Sequence, residues 1–139
     1  MATPAHAGRM LFVNMPVADL ERSKAFFAKL GFTYNPTMTD ENAACMIVSD
    51  EAFFMLLTPP HFARFSKRTS CDTRQHTEAL YAISCVSRGE VDELVKTAIA
   101  GGGTPAMDPQ DHGFMYQSSF YDLDGHHWEV VWMDPKAVG

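Results

Sequence analysis

The sequence predicts a single α+β domain built from two related halves, each made of a strand, a helix and three further strands. Apolar residues alternate with other residues at the start of each half, which indicates a strand with one buried face. A segment with helical spacing follows each strand and ends at glycine. The same order of elements then repeats, with Leu11 aligned to Leu80 and Asp50 aligned to Asp124.

The first half covers residues 9–58. Leu11, Val13, Met15 and Val17 alternate with other residues, which predicts a strand over Met10–Val17. Asp19 can cap the next helix because its carboxylate accepts hydrogen bonds from free amides of the first turn. Gly31 is placed to end that helix. Three strands are then expected, the last two joined by a hairpin at Asp50-Glu51: Phe32–Met38, Ala44–Ser49 and Ala52–Thr58.

The second half covers residues 79–134 and repeats this order. Leu80–Val86 is predicted to be a strand, and Ser87 with Glu90 has the spacing of a capping box, in which each side chain satisfies the other residue's free amide. Glycines 101–103 end the helix. The remaining strands are expected at Thr104–Met107, Gly113–Tyr121 and His127–Met133, with a tight turn at residues 122–125.

Two further segments lie outside these halves. Residues 1–8 contain proline and glycine and are expected to form a flexible N-terminus. Residues 59–78 are predicted to be a linker or a lid. Their basic side chains leave two interpretations open, a solvated linker or a basic rim for an anionic ligand; these side chains are Arg64, Lys67, Arg68 and Arg74.

Composition argues against several classes of protein. The formal charge of −6 disfavours a general nucleic-acid binder, which normally carries a basic face. The sequence contains no apolar run of the roughly 18 residues that a membrane helix needs. The three cysteines are widely spaced and suggest neither a disulfide framework nor a zinc site. Together with a start that has no signal-peptide pattern, these observations predict a cytoplasmic protein.

Two segments resemble a known family. Residues 12–32 (FVNMPVADLERSKAFFAKLGF) resemble the opening of the vicinal oxygen chelate superfamily, which includes glyoxalase I, extradiol dioxygenases, and fosfomycin- and bleomycin-resistance proteins. Residues 122–130 (DLDGHHWEV) are similar to its closing D-P-D-G-H-x-x-E hairpin, with Leu123 in place of proline. The resemblance implies two βαβββ modules whose mixed sheets curl around a cavity. It also implies a divalent ion that chelates two adjacent substrate oxygens.

Carried over from the family, the four metal-facing positions are Phe12, Met55, Tyr81 and Glu129. Only Glu129 is a usual ligand type, whereas a catalytic zinc site normally has three protein ligands and an open position. We therefore expect a degraded metal site and no cofactor. The alternative is a divalent metal held through Glu129 and unconventional ligands.

Strand parity identifies the other candidate site residues. His127 shares parity with Glu129, and Asn14 shares parity with Phe12, so both are expected to face the cavity. Tyr116 completes the predicted lining with Phe12, Met55 and Tyr81. Glu129 is interpreted either as a general base or as a carboxylate that is solvated or bonded to Tyr81. His126 follows the glycine of a tight turn and is expected to be exposed.

Two functions remain open at this point. The first is a binding protein that holds a small, partly apolar molecule without a metal, as the bleomycin-resistance branch sequesters its drug. The second is a metal-dependent glyoxalase-type lyase or isomerase, or an enzyme similar to extradiol dioxygenases, that uses Glu129. The resemblance further implies a homodimer, and no nucleic-acid or membrane partner is expected.

Overall fold

A computed structural model describes residues 6–138, and their packing divides them into two compact units, residues 6–70 and residues 71–138. Each unit contains one mixed sheet whose central strands contact a helix. The predicted α+β class and the repeated order of elements are confirmed. The first five residues of the expected N-terminal segment lie outside the described residues.

The first unit contains four strands and two α-helices: β1 (Leu11–Pro16), α1 (Leu20–Lys29), β2 (Thr33–Tyr34), β3 (Ala43–Ile47), β4 (Ala52–Leu57) and α2 (Pro59–Ala63). Its sheet has the order β1-β4-β3-β2. The first strand runs parallel to the fourth, and the other neighbours are antiparallel.

Helix α1 begins and ends where the sequence predicts. The Asp19 carboxylate accepts a hydrogen bond from the backbone N–H of Arg22 at 3.1 Å. Gly31, with φ of +101°, follows the last turn in a conformation that favours glycine. The helix packs its buried Phe26 and Phe27 toward β3 and β4, where Met46 and Leu56 are fully buried. These apolar side chains form the core of the first unit.

The second predicted strand is shorter than expected. Only Thr33–Tyr34 pair with β3, and Pro36–Met38 form a 3₁₀ turn instead. Pro36 has no N–H to donate to a sheet, and the Asn35 side chain accepts a hydrogen bond from the backbone N–H of Thr37 at 3.0 Å. The turn therefore ends the strand.

The second unit repeats the plan with one additional short strand. Its elements are β5 (Leu80–Ser84), α3 (Arg88–Ala100), β6 (Thr104–Pro105), β7 (Gln110–Asp111), β8 (Met115–Tyr121), β9 (His127–Met133) and α4 (Pro135–Val138). Its sheet has the order β5-β9-β8-β6, with β7 paired to β8, and its first strand again runs parallel to its last.

Strand β9 has the predicted bounds, and its alternate residues separate core from surface as expected. Trp128 and Val130 are fully buried on the side of α3, together with Phe120 of β8. The capping box is present in part. Ser87 accepts a hydrogen bond from the N–H of Glu90 at 3.1 Å, whereas the Glu90 carboxylate is hydrogen-bonded to the Cys85 thiol.

The predicted linker does not behave as one segment. Residues 59–63 form α2 in the first unit, and residues 72–78 dock onto the β8–β9 turn of the second unit. There the Thr73 hydroxyl donates to the carbonyl oxygen of Asp124 at 2.6 Å, and Arg74 donates to that of Leu123 at 3.1 Å. Residues 72–78 are called the strap below.

Among residues 6–138, no helix is both long enough and apolar enough to cross a membrane.

Candidate functional site

The register of the two sheets shows which residues of the two halves are equivalent. In the first sheet Met55 lies opposite Cys45 and Asn14, and in the second sheet Glu129 lies opposite Ser119 and Ala82. Glu129 therefore takes the place of Met55, as the sequence alignment predicted.

The predicted alignment of the first strands is wrong by one position. Phe12 lies opposite Phe53, and the residue of the second sheet in the equivalent place is Leu80, which lies opposite His127. Tyr81 lies opposite Trp128, on the other face of the sheet. Because neighbouring strand residues point to opposite faces, Tyr81 does not share a face with Glu129.

Tyr81 consequently lies on the packed side of the second unit, and it does not line the pocket on the open face of that sheet. Its ring lies 5.4 Å from that of Trp128, and its hydroxyl donates to Glu78 at 3.1 Å. Burial and the nearby Glu78 carboxylate raise the pKa of the Tyr81 phenol. A phenol that resists deprotonation is a poor metal ligand.

Tyr116 is likewise misplaced by the prediction. It lies opposite Trp132, and its hydroxyl donates to Asp92 of α3 at 2.6 Å. The Arg88 guanidinium lies 5.3 Å from the centre of the Tyr116 ring and 5.0 Å from that of Trp132. Tyr116 therefore fixes α3 to the sheet.

In the first unit, the open face of the sheet is mainly apolar. Phe12 stacks on Phe53 with 4.9 Å between ring centres, and Phe12 is 38% exposed. Met55 is half-buried on the same face, with the exposed Asn14 beside it. The three residues predicted here share one face of one sheet, but that face carries no acidic or imidazole side chain on β1 or β4.

In the second unit, the open face of the sheet forms the floor of a pocket of about 470 Å³. Glu129 and His127 of β9 lie in it, beside Leu80 of β5 and Tyr121 of β8. The remaining wall comes from the strap and from residues near β7 and β8: Thr77, Met107, Asp108, Gln110, Gln117, Ser118 and Ser119. The size is that of a small-molecule site.

His127 and Glu129 are the most distinctive groups in this pocket. The His127 side chain is 6% exposed, its ring makes an edge contact with Tyr121 at 5.4 Å, and its Nε2 has no hydrogen-bond partner among the described residues. Glu129 is half-buried, and within residues 6–138 it takes part in no salt bridge. Glu129 is therefore open to a ligand, whereas His127 Nε2 is enclosed by the chain.

His126 is fully buried, so the expectation that it is exposed is wrong. Its Nδ1 lies 2.6 Å from Glu78 Oε2 of the strap, which is 48 positions away in the sequence. The backbone N–H of His126 donates to Asp122 at 3.0 Å, and the same carboxylate accepts from Trp128 Nε1 at 2.9 Å. These residues join the strap, the turn and the core.

The pKa values of the two carboxyl groups in this network shift in opposite directions. Burial raises the pKa of the Asp122 carboxyl, although His126 and the hydrogen bond from Trp128 act against the shift. Burial also acts to raise the pKa of Glu78, but the hydrogen bond with His126 and the attraction to it bring that pKa below its ordinary value. The network ties the strap to the turn and lies on the side of Tyr81 and Trp128.

Cys85 is packed rather than reactive. Burial and the hydrogen bond to Glu90 raise the pKa of its thiol to about 12. Since the thiolate is the nucleophile, this site gives no support for covalent chemistry.

The family's divalent metal does not fit the residues at its expected positions. With the corrected register these are Phe12, Met55, Leu80 and Glu129, and only Glu129 offers a ligand atom suited to such an ion. Within residues 6–138, no three His, Cys, Asp or Glu side chains are grouped so that they could hold a metal.

Several residues of the pocket were not predicted from the sequence, notably Leu80, Ser119 and Tyr121. Ser119 and Tyr121 alternate along β8, and they lie opposite Glu129 and His127. Leu80 could have been found only with the first strands aligned one position differently.

Comparison with known proteins agrees with this architecture. Residues 9–49 match the family described as bleomycin resistance protein-like N-terminal. A search of curated proteins found no significant match.

Solved structures are similar over most of the chain. A hypothetical protein, SA1046, from S. aureus is 27% identical, with 88% of this chain and 92% of that chain covered and a TM-score of 0.76. A glyoxalase/bleomycin resistance protein/dioxygenase family enzyme from Burkholderia phytofirmans is 19% identical, with coverage of 88% and 96% and a TM-score of 0.72. The fosfomycin resistance protein FosX from Listeria monocytogenes is 18% identical, with coverage of 95% and 92% and a TM-score of 0.64.

The similarity to the Burkholderia phytofirmans and Listeria monocytogenes structures is a similarity of fold. The family match covers part of the first half of the sequence. Both agree with the motifs at residues 12–32 and 122–130. The chain therefore has the glyoxalase/bleomycin-resistance fold, and its residues 9–49 are similar to the bleomycin resistance protein-like N-terminal family.

Proposed function

We propose that the protein binds a small, partly apolar molecule in the pocket on the open face of its second sheet, without the divalent metal that the family commonly uses. The observation that carries this proposal is the pocket itself. It brings Glu129 and His127 together with Leu80, Met107 and Tyr121 in a space of about 470 Å³. A few polar groups among apolar walls are typical of ligand sites.

The donor set supports the metal-free part of the proposal. Phe12, Met55 and Leu80 stand at three of the four positions where the family places ligands, and none of their side chains suits a hard or borderline ion. A single carboxylate holds a divalent ion weakly. Glu129 is therefore proposed to contact the bound molecule directly.

A second candidate is a metal-dependent enzyme of the glyoxalase or dioxygenase type. The observation that favours it is that His127 and Glu129, both common ligand types, lie two positions apart on one face of β9. This candidate requires further ligands from a substrate or a partner chain. It predicts that binding or turnover depends on added metal.

Ligand-detected NMR with a library of small aromatic and heteroaromatic compounds, before and after treatment with a chelator, tests the proposal. Leu80→Arg places a long charged side chain at the edge of the pocket and is expected to weaken binding. Leu80 is 57% exposed, so the fold should tolerate the change. Val86→Arg is the matched control because Val86 is 83% exposed and does not line the pocket. Binding that appears only with added metal, or that Leu80→Arg leaves unchanged, would contradict the proposal.

The cytoplasmic location and the homodimer expected from the sequence form part of this proposal. The family match and the glyoxalase/bleomycin-resistance fold support them only indirectly. Light scattering of the purified protein, which gives the mass in solution directly, tests the dimer.

A further inference from the structure

We propose that the ligand of this pocket is an organic cation, in which an ammonium group takes the place beside Glu129 that a metal ion takes in members of the superfamily. This inference rests on the proposed function, since it concerns the same pocket. It goes beyond that function by naming the charge and the kind of group that the pocket selects.

The charges that line the pocket are all of one sign. Asp108 lies exposed at its edge and Glu129 lies half-buried on its floor, and no lysine or arginine lines it. The chain itself does not neutralise these two carboxylates, because within residues 6–138 neither of them takes part in a salt bridge. A cationic group would be attracted to this site, and an anionic group would be repelled.

The net charge of the second half also favours the binding of a cation. Residues 71–139 contain four basic and eleven acidic residues, a formal charge of −7, whereas residues 1–70 contain seven basic and six acidic residues, a formal charge of +1. Two of the four basic side chains are engaged elsewhere: Arg88 with Asp111 and Arg74 with the carbonyl of Leu123. The field at the pocket therefore favours cations.

His127 gives an independent indication that the pocket receives a polar molecule. Its side chain is 6% exposed and lines the pocket, yet its Nε2 has no hydrogen-bond partner among the described residues. Leaving such a group without a partner is unfavourable. A ligand amine or hydroxyl beside Glu129, two positions along the same strand face, provides that partner when the enclosed imidazole turns toward the pocket.

The remaining walls indicate what the cation is attached to. Leu80 and Met107 are 57% and 59% exposed, and the half-buried ring of Tyr121 lies beside them. Apolar side chains bind an aliphatic or aromatic group, and a tyrosine face also attracts cations. An ammonium group carried on a small aromatic ring combines these features.

Three compounds with the same ring and spacer provide the test: tryptamine, tryptophol and indole-3-propionate, which carry an ammonium, a hydroxyl and a carboxylate. Calorimetric titration of the full-length protein is expected to give the tightest binding for tryptamine. The difference in Kd between tryptamine and indole-3-propionate should be about tenfold or more, as for a hydrogen bond to a charged group. Added salt should reduce this difference.

Glu129→Gln should remove most of the preference for tryptamine, and Asp108→Asn should reduce it slightly, because Asp108 is exposed. Glu93→Gln, an exposed carboxylate on α3 that does not line the pocket, is the matched control and should leave it unchanged. The inference would be overturned if the three compounds bound equally, if the carboxylate bound more tightly, or if the preference for tryptamine survived Glu129→Gln. Each of these results would leave a small-molecule site in place. If none of the three binds, the inference is also wrong, and the library experiment then decides separately on the proposed function.

Discussion

The two halves of this protein share a backbone plan and differ in the side chains that they place on it. In each half the first strand runs parallel to the last, and the last two strands form a hairpin whose equivalent turns lie at Asp50 and Asp124. The open face of the first sheet carries Phe12, Phe53 and Met55. The open face of the second carries His127 and Glu129.

The two sheets have equivalent strand positions, but the residues at these positions differ in chemical type. Where the second half has Glu129, the first half has Met55, and where the second has His127, the first has Phe53. The packed faces are more alike, since Trp128 and Phe54 are both buried aromatic residues at equivalent places. Stability therefore depends on features common to both halves, and candidate function depends on one.

The largest effect is expected from removing the equivalent core aromatics. Trp128→Ala and Phe54→Ala should each reduce the free energy of unfolding by about 3–5 kcal/mol, since both remove large buried rings. Trp128→Ala should cost more, because it also removes the hydrogen bond from Nε1 to the buried Asp122. Urea unfolding measures both, and Trp128→Phe removes the hydrogen bond with only part of the ring. A Trp128→Phe variant as stable as the parent protein would show that this bond contributes nothing.

A smaller effect is expected at the glycines. Gly125 has φ of +85°, and a Cβ there would lie 2.5 Å from the carbonyl oxygen of Thr73 in the strap. Gly31 has φ of +101° with no atom within 4 Å of such a Cβ. Gly31→Ala should cost only conformational strain, about 1–2 kcal/mol. Gly125→Ala should cost more because it also displaces the strap, and thermal unfolding compares them. A Gly125→Ala variant no less stable than Gly31→Ala would contradict the close docking of the strap.

The pairing of the strap with His126 predicts a dependence on pH that the first half lacks. The pKa of Glu78 is lowered in the folded protein, so its stabilising effect is present at neutral pH and is lost as the pH falls through that lowered value. Glu78→Gln should therefore destabilise the protein by about 1.5–3 kcal/mol at pH 7 and by less in acid.

Unfolding of Glu78→Gln and of the parent protein between neutral and acidic pH measures this difference. Glu51→Gln, at the exposed turn of the first hairpin, is the control and should change little. If the difference in free energy of unfolding between Glu78→Gln and the parent protein stayed constant as the pH fell, this would contradict a charged pair of Glu78 and His126.

The smallest effect on stability is expected at Glu129. Glu129→Gln removes a half-buried carboxylate that has no salt bridge within residues 6–138, so the free energy of unfolding should change by only about 0.5 kcal/mol. Ligand affinity should change instead. A large loss of stability in the absence of ligand would mean that Glu129 serves the fold rather than the pocket.

Much of the fold could be predicted because it depends on local chemistry. Alternation along β1 and β9, the cap at Asp19 and the glycine at position 31 are all properties of short segments. The strand expected over Phe32–Met38 was wrong because Asn35 and Pro36 form a local turn that an apolar pattern does not register.

The candidate site could be predicted only in part because it depends on pairing between distant segments. Tyr81 and Leu80 are both apolar enough to start a strand, and only the pairing with β9 shows which one shares a face with Glu129. His126 is buried because Glu78 reaches it from the strap. No spacing within the turn motif indicates that contact.

The central proposal is that this protein binds its ligand without a metal ion. Elemental analysis of untagged protein purified without chelators tests it most directly. We expect far less than one equivalent of zinc, nickel, manganese or iron per chain, and ligand binding that a chelator does not change. A stoichiometric metal that is lost in Glu129→Gln would contradict it.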